Sequence, residues 1–176
     1  KTKVTLNSGQ TTTIKLNGGT IKSVKSSKTS VATITKAGKI TAKNAGTATI
    51  TVTSTKNKKY TCKVTVKACL SATNVTLALG DYTTISLKGA TLKSFKSSST
   101  SVATITKAGK ITAKKKGSAT ITATDTKGKK YTCKVKVEAP AISATSLTLD
   151  VGDTATLKLN GNTQKVTWSS SNTDVA

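Results

Sequence analysis

The sequence predicts an all-β chain built from tandem two-sheet sandwiches of about seven strands each. Three observations predict it: a 71-residue repeat, period-two alternation of apolar residues inside each copy, and glycines that recur at the same points.

The repeat is sought first because a fixed period decides the architecture. Residues 4–68 align without a gap on residues 75–139, and 47 of the 65 aligned positions are identical. The block VATITKAGKITAK occupies residues 31–43 and again 102–114, and KKYTCKV occupies 58–64 and 129–135. A third copy starts near Leu147: LTLDVGDTATLKL parallels VTLALGDYTTISL, and WSSSNTDVA parallels FKSSSTSVA, with one extra residue between the two segments. It stops at Ala176, where the other copies continue with TITKAGKITA. The expected organisation is a first module over residues 1–68, a second over 69–139, and the N-terminal half of a third over 140–176. The half module lacks the strands to bury a core alone. The expectation is a polypeptide that continues beyond it; completion by strands of another subunit is the alternative.

Inside each copy the apolar residues alternate as in half-buried strands. Thr12, Ile14 and Leu16 share one face. Ala48, Ile50 and Val52 share another, as do Tyr60, Cys62, Val64 and Val66. Threonine, lysine and serine fill the positions between, and threonine favours strand backbone while tolerating water. Gly9, Gly80 and Gly152 mark the first turn. Gly38 and Gly109 are read as positive-φ residues of a tight hairpin, and Gly46 and Gly117 precede the long sixth strand. At Val31-Ala32-Thr33 the buried face is ambiguous, and a bulge is one solution. A helical reading fails for want of a 3.6-residue apolar period. Disorder, the usual fate of lysine-rich, aromatic-poor chains, fails because apolar positions and turns recur in register.

The core is expected to be lean. Its large residues are drawn from Phe95, Trp168, Tyr60, Tyr82 and Tyr131. Trp168 aligns with Phe95 and Val24, so both aromatics are assigned to the core, a ligand platform at Trp168 being the alternative. Cys62 and Cys133 hold equivalent inward positions in the last strand and read as small buried hydrophobes.

The run V-T-L-x-x-G-x-x-x-T-I-x-L, then SSxTSVATI, G-K-I-T-A, A-G-T-A-T-I-T and Y-T-C-K-V-T-V resembles bacterial immunoglobulin-like domains of group 2. VTWSSSNTDVA at residues 166–176 is a closer match still. The resemblance covers most of the chain. It implies tandem immunoglobulin-like β-sandwiches of the kind that occur on bacterial surface and secreted proteins and in phage structural proteins. There they space or display other domains, or bind receptors or glycans. It implies no catalytic residues and no cofactor. A net charge of +23 from 29 lysines and six acids, with no arginine, is not a requirement of that family.

Catalysis also fails on inventory. There is no histidine, and no carboxylate precedes Asp81, so the first copy holds no acid–base pair and no buried carboxylate for a lysine–asparagine crosslink. Calcium needs clustered oxygen ligands; the six acids are scattered, and only Asp150 and Asp153 lie near each other. Three cysteines make no disulfide framework and no zinc site. Cys69 follows the last strand of the first copy and reads as a candidate exposed thiol, for an intermolecular disulfide or as a plain linker residue.

The lysines form tips: Lys56, Lys58 and Lys59; Lys114, Lys115 and Lys116; Lys127, Lys129 and Lys130. These are candidate polyanion contacts of salt-sensitive, point-charge type. Specific nucleic-acid readout leans on arginine's bidentate fork, so none is expected. Residues 1–70 carry 14 lysines and no acid, whereas residues 141–176 carry two lysines and three acids. A solvated face with lysine-guarded strand edges is the simpler account. No stretch is long and apolar enough to span a membrane. The functional expectation is a non-enzymatic, extracellular or secreted array on a bacterial surface, or on a phage particle, that spaces or tethers another domain. Its partners would be further domains of the same polypeptide or copies of itself in a fibre. Adhesion to anionic wall polymers or glycans through the lysine tips is the alternative.

Overall fold

The computed structural model describes residues 2–160 and 166–175. The first repeat supplies β1 (Lys3–Asn7), β2 (Thr11–Thr13), β3 (Ile21–Ser26), β4 (Ala32–Ile34), β5 (Lys39–Ala42), β6 (Gly46–Ser54) and β7 (Lys59–Lys67). They form a four-stranded sheet, β1-β7-β6-β3, and a three-stranded sheet, β2-β5-β4. β1 runs parallel to β7, with Val4 opposite Val64 and Leu6 opposite Val66, while the other pairs are antiparallel. Alternation puts Ala48, Ile50, Val52, Cys62, Val64 and Val66 on the inner face of the larger sheet, against Ala32, Ile40 and Ala42 of the smaller. The chain is all-β, with its cores between packed sheets.

The second repeat supplies β8 (Cys69–Leu70), β9 (Asn74–Ala78), β10 (Tyr82–Thr84), β11 (Leu87–Lys88), β12 (Leu92–Ser97), β13 (Ala103–Ile105), β14 (Lys110–Ala113), β15 (Gly117–Asp125) and β16 (Lys130–Glu138). Sheets β12-β15-β16-β9 and β10-β14-β13 repeat the first sandwich. The linker adds something new: β8 pairs antiparallel with β11, Leu70 opposite Leu87, and Leu70 joins the second core at 6% exposure.

Val31 and Ala32 are both buried, and the β4–β5 ladder runs without a bulge. A turn resolves the ambiguity: the N–H groups of both residues donate to the Lys28 carbonyl, so the chain enters β4 from a helical-type turn instead of an extended one. The register shifts lie elsewhere, between Ile21 and Ser23 of β3 and at the matching Leu92 and Ser94 of β12. The serines before that turn hold it in place. Ser26 Oγ donates to the Ala32 carbonyl and Ser97 Oγ to the Ala103 carbonyl, each at 2.7 Å.

In the third copy β17 (Ala141–Ile142) pairs with β18 (Leu159–Asn160), Ile142 opposite Leu159. The extra residue expected between Leu159 and Trp168 falls where residues 161–165 lie outside the described ones, as does Ala176. Trp168 is 53% exposed, which corrects its assignment to a core. Its counterpart Phe95 is half-buried and pairs across to Ala123 of β15. Among the described residues no strand pairs with the segment around Trp168.

Candidate functional site

Each hairpin tip is shaped by one left-handed residue. Between β6 and β7 it is Asn57 (φ 60°), and between β15 and β16 it is Gly128 (φ 82°). Asparagine tolerates this region better than other side chains. Lys56, Lys58 and Lys59 are exposed on the first tip, where Lys22 Nζ donates to Asn57 Oδ1 at 2.7 Å. Lys127, Lys129 and Lys130 are exposed on the second. Lys114, Lys115 and Lys116 are exposed at the start of β15, the opposite end of that nine-residue strand and about 27 Å away at ~3.4 Å per residue. The fold therefore separates the lysine clusters along the strands.

The second tip, its lysines exposed, has a further neighbour. It faces the joint with the first repeat, where a cleft of about 690 Å³ is lined by Ala45, Lys67, Gly89, Asp125, Lys127 and Tyr131 among others. Ala45 N–H donates to the Gly89 carbonyl at 2.8 Å across the joint. Gly89 holds φ +79°, and a Cβ there would stand 2.6 Å from Ser8 Cβ, so only glycine permits this approach. Ser8, itself buried, donates from Oγ to the Lys43 carbonyl. The Cys69 thiol is half-buried rather than open, with Sγ 3.8 Å from the Ser8 carbonyl, because its strand is packed into the joint.

Asp125 is the residue that sequence reasoning passed over. It is 4% exposed, at the position of Ser54 in the first repeat. Its Oδ1 accepts the backbone N–H groups of Lys127 and Lys129 at 2.9 Å each, and its Oδ2 accepts the Tyr131 hydroxyl at 3.2 Å. Burial alone would raise the carboxyl. The hydrogen bonds from Lys129, Lys127 and Tyr131, with the Lys127 charge, outweigh it and hold the group below the usual aspartate value. The available signal was the D-x-K-x-K spacing after a strand, an Asx-type turn.

Cys62 and Cys133 lie buried, and burial pushes both thiols up. A nucleophilic cysteine needs the opposite shift. Among the described residues no three His, Cys, Asp or Glu side chains could hold a metal ion, and no helix is long and apolar enough to cross a membrane. Gly38 and Gly109 sit between β4 and β5 and between β13 and β14, at φ 81° and 83°. Each carbonyl accepts the N–H of the isoleucine at the end of the neighbouring strand, Ile14 or Ile85.

Residues 70–135 match the bacterial Ig-like domain (group 2). A domain of that family, structural and non-catalytic, is therefore present in this part of the chain. No curated protein matches the sequence. Among solved structures, the chain is similar to surface layer protein SbsC, domains 1-6, at 21% identity over 73% of this chain and 22% of that one, with a TM-score of 0.36. It is also similar to the C-terminal 282-residue fragment of intimin in complex with the intimin-binding domain of the translocated intimin receptor, at 12% identity over 76% and 59%, TM-score 0.38. The extracellular cadherin domains 1-4 of protocadherin gamma B7 match at 13% identity over 86% and 54%, TM-score 0.32. This chain spans about a fifth of the SbsC structure's length.

Proposed function

Because residues 70–135 form a group 2 bacterial Ig-like domain, we propose that the chain is a segment of a non-enzymatic spacer or fibre-forming array. Residues 1–68 and 69–139 act as consecutive modules, and residues 140–176 as the first half of another. The array displays or tethers a partner domain of the same polypeptide outside the cell, on a bacterial surface or a phage particle.

The observation that carries this reading is the joint. The linker is itself a strand, β8, with Leu70 in the second core, and the Ala45–Gly89 hydrogen bond and the Ser8–Gly89 contact close the other side. A joint of this kind transmits position from one module to the next, as a spacer must. Nitrogen-15 relaxation of the full chain tests it: amides of both repeats should report one common, anisotropic tumbling. Gly89→Ala, which sets a methyl against Ser8, should loosen that coupling. Two independent correlation times in the unaltered chain would sink the spacer reading.

The exposed lysine clusters support a second reading, adhesion to anionic wall polymers or glycans. Retention on anionic but not neutral glycans, decreasing with salt, is the outcome it requires.

A further inference from the structure

The larger sheet of each sandwich turns its apolar side to the core, and strand register fixes what the other side carries. The outward positions of β6 are Thr47, Thr49, Thr51 and Thr53, and those of β7 are Lys59, Thr61, Lys63, Thr65 and Lys67. β1 sets Lys3 beside Lys63, and β3 sets Lys25 beside Thr51, which in turn lies beside Thr61. Lys3, Lys25, Lys59, Lys63 and Lys67 are all exposed. Five lysines thus share one face with threonine hydroxyls, and no carboxylate precedes Asp81 to offset them. The smaller sheet differs: its outward positions are Thr11, Thr13, Thr33, Lys39 and Thr41, with a single lysine. On the sheets of the first sandwich the charge is one-sided.

Lys59, Lys63 and Lys67 recur every fourth residue of β7, about 14 Å apart at ~3.4 Å per residue. Lys3 and Lys63 are side by side on neighbouring strands, about 4.8 Å apart at the backbone. Their repulsion is relieved by an anion that bridges them. The second repeat keeps the plan with Lys96, Lys130, Lys134 and Lys136, while Glu138 replaces Lys67 and pairs with Lys136 at 2.7 Å. Here the face dips into a trough of about 420 Å³, lined by Asn74, Ser98, Thr120, Lys134 and Lys136 among others. Ser98 Oγ accepts Thr120 N–H at 2.9 Å, as Ser27 Oγ accepts Thr49 N–H at 2.8 Å. Each serine keeps its own O–H to donate, so ammonium groups and fixed hydroxyls stand together.

Building on the adhesion reading, on which this rests, we propose that the outer face of the larger sheet is the docking surface for a linear phosphodiester polymer of the wall. The hairpin tips add general attraction; the sheet face holds the chain. Charge complementarity selects a polyanion, and the lysine chemistry selects phosphate. An ammonium is a compact point charge with three rotatable donors, whereas the arginine fork that clasps planar carboxylates is absent from the sequence. Nucleic acid is the wrong phosphodiester. Single strands are held by stacking bases on aromatic rings, and Tyr60 and Tyr131 occupy the alternate, inward positions of β7 and β16.

The test compares two charge-matched variants of the full chain on synthetic poly(glycerol phosphate). One replaces Lys25, Lys63, Lys96 and Lys134 of the larger sheets by threonine. The other replaces Lys36, Lys39, Lys107 and Lys110, on the opposite side of the same sandwiches, by threonine. At about 50 mM salt the first should lose affinity at least about tenfold and the second less than about threefold. Glutamine at the first four positions, which keeps the side-chain stem, should reproduce the larger loss. Equal losses from the two sets overturn the sheet face and leave adhesion standing. Tighter binding to single-stranded DNA, or retention on polygalacturonate alone, overturns the assigned polymer. Failure of the unaltered chain to bind either poly(glycerol phosphate) or polygalacturonate removes the adhesion reading itself.

Discussion

Gly109 and Gly128 both hold positive φ, at 83° and 82°, yet their surroundings differ completely. A Cβ at Gly109 would lie 2.0 Å from the Ile85 carbonyl oxygen, whereas nothing stands within 4 Å of one at Gly128. The first repeat has already made the second exchange, since Asn57 occupies the matching position at φ 60°. Gly109→Ala should therefore destabilise the second sandwich by about 2 kcal/mol or more, through strain and backbone collision together. Gly128→Asn should cost less than about 1 kcal/mol. Denaturant melts of the two variants check this, and similar losses for both would contradict it. Recurrence of glycine was visible in the sequence. Which glycine a neighbour enforces was not, because Ile14 and Ile85 come from strands more than 20 residues away.

At the scale of elements, the two long hairpins differ in what closes them. β6–β7 turns on Ser54, whose Oγ accepts Lys58 N–H, and β15–β16 turns on the Asp125 carboxylate with three donors. The folded state holds Asp125 below its ordinary value of 3.8. Its contribution is thus fully present above that pH and is lost as pH falls below it through the lower folded value. Asp125→Ser should flatten the acid dependence of the second sandwich as pH falls below about 4, at the cost of lower stability near neutrality. Thermal midpoints across that window read it directly. Wild type and variant declining in parallel would remove Asp125 as the cause. β-strand alternation made both hairpins legible. The turn carboxylate went unread because aspartate after a strand also fits a solvent-exposed turn.

At the scale of the whole molecule, lysine clusters sit at opposite ends of strands and on different sandwiches. Separate clusters should contribute to polyanion binding additively. On an anionic polysaccharide, replacing Lys56, Lys58 and Lys59 by serine, or Lys114, Lys115 and Lys116, should each reduce the slope of log affinity against log salt. The double replacement should reduce it by the sum. Complete loss from either triple alone would reveal a single site instead. With +23 formal charges, moderate salt should also stabilise the fold by screening self-repulsion.

The seven strands common to both repeats followed from the sequence alone, because alternation and glycine placement act within a few residues and the repeat states them twice; β8 and β11 of the second repeat did not. Tertiary structure decided that Val31 and Ala32 both turn inward, and that the linker is a strand with Leu70 in the core beyond it. Each of these depends on surfaces brought together from distant segments. A leucine between two repeats reads the same in sequence whether it is loose or locked. Only the presence of Ile85, Leu87 and Cys133 around it makes it part of a core.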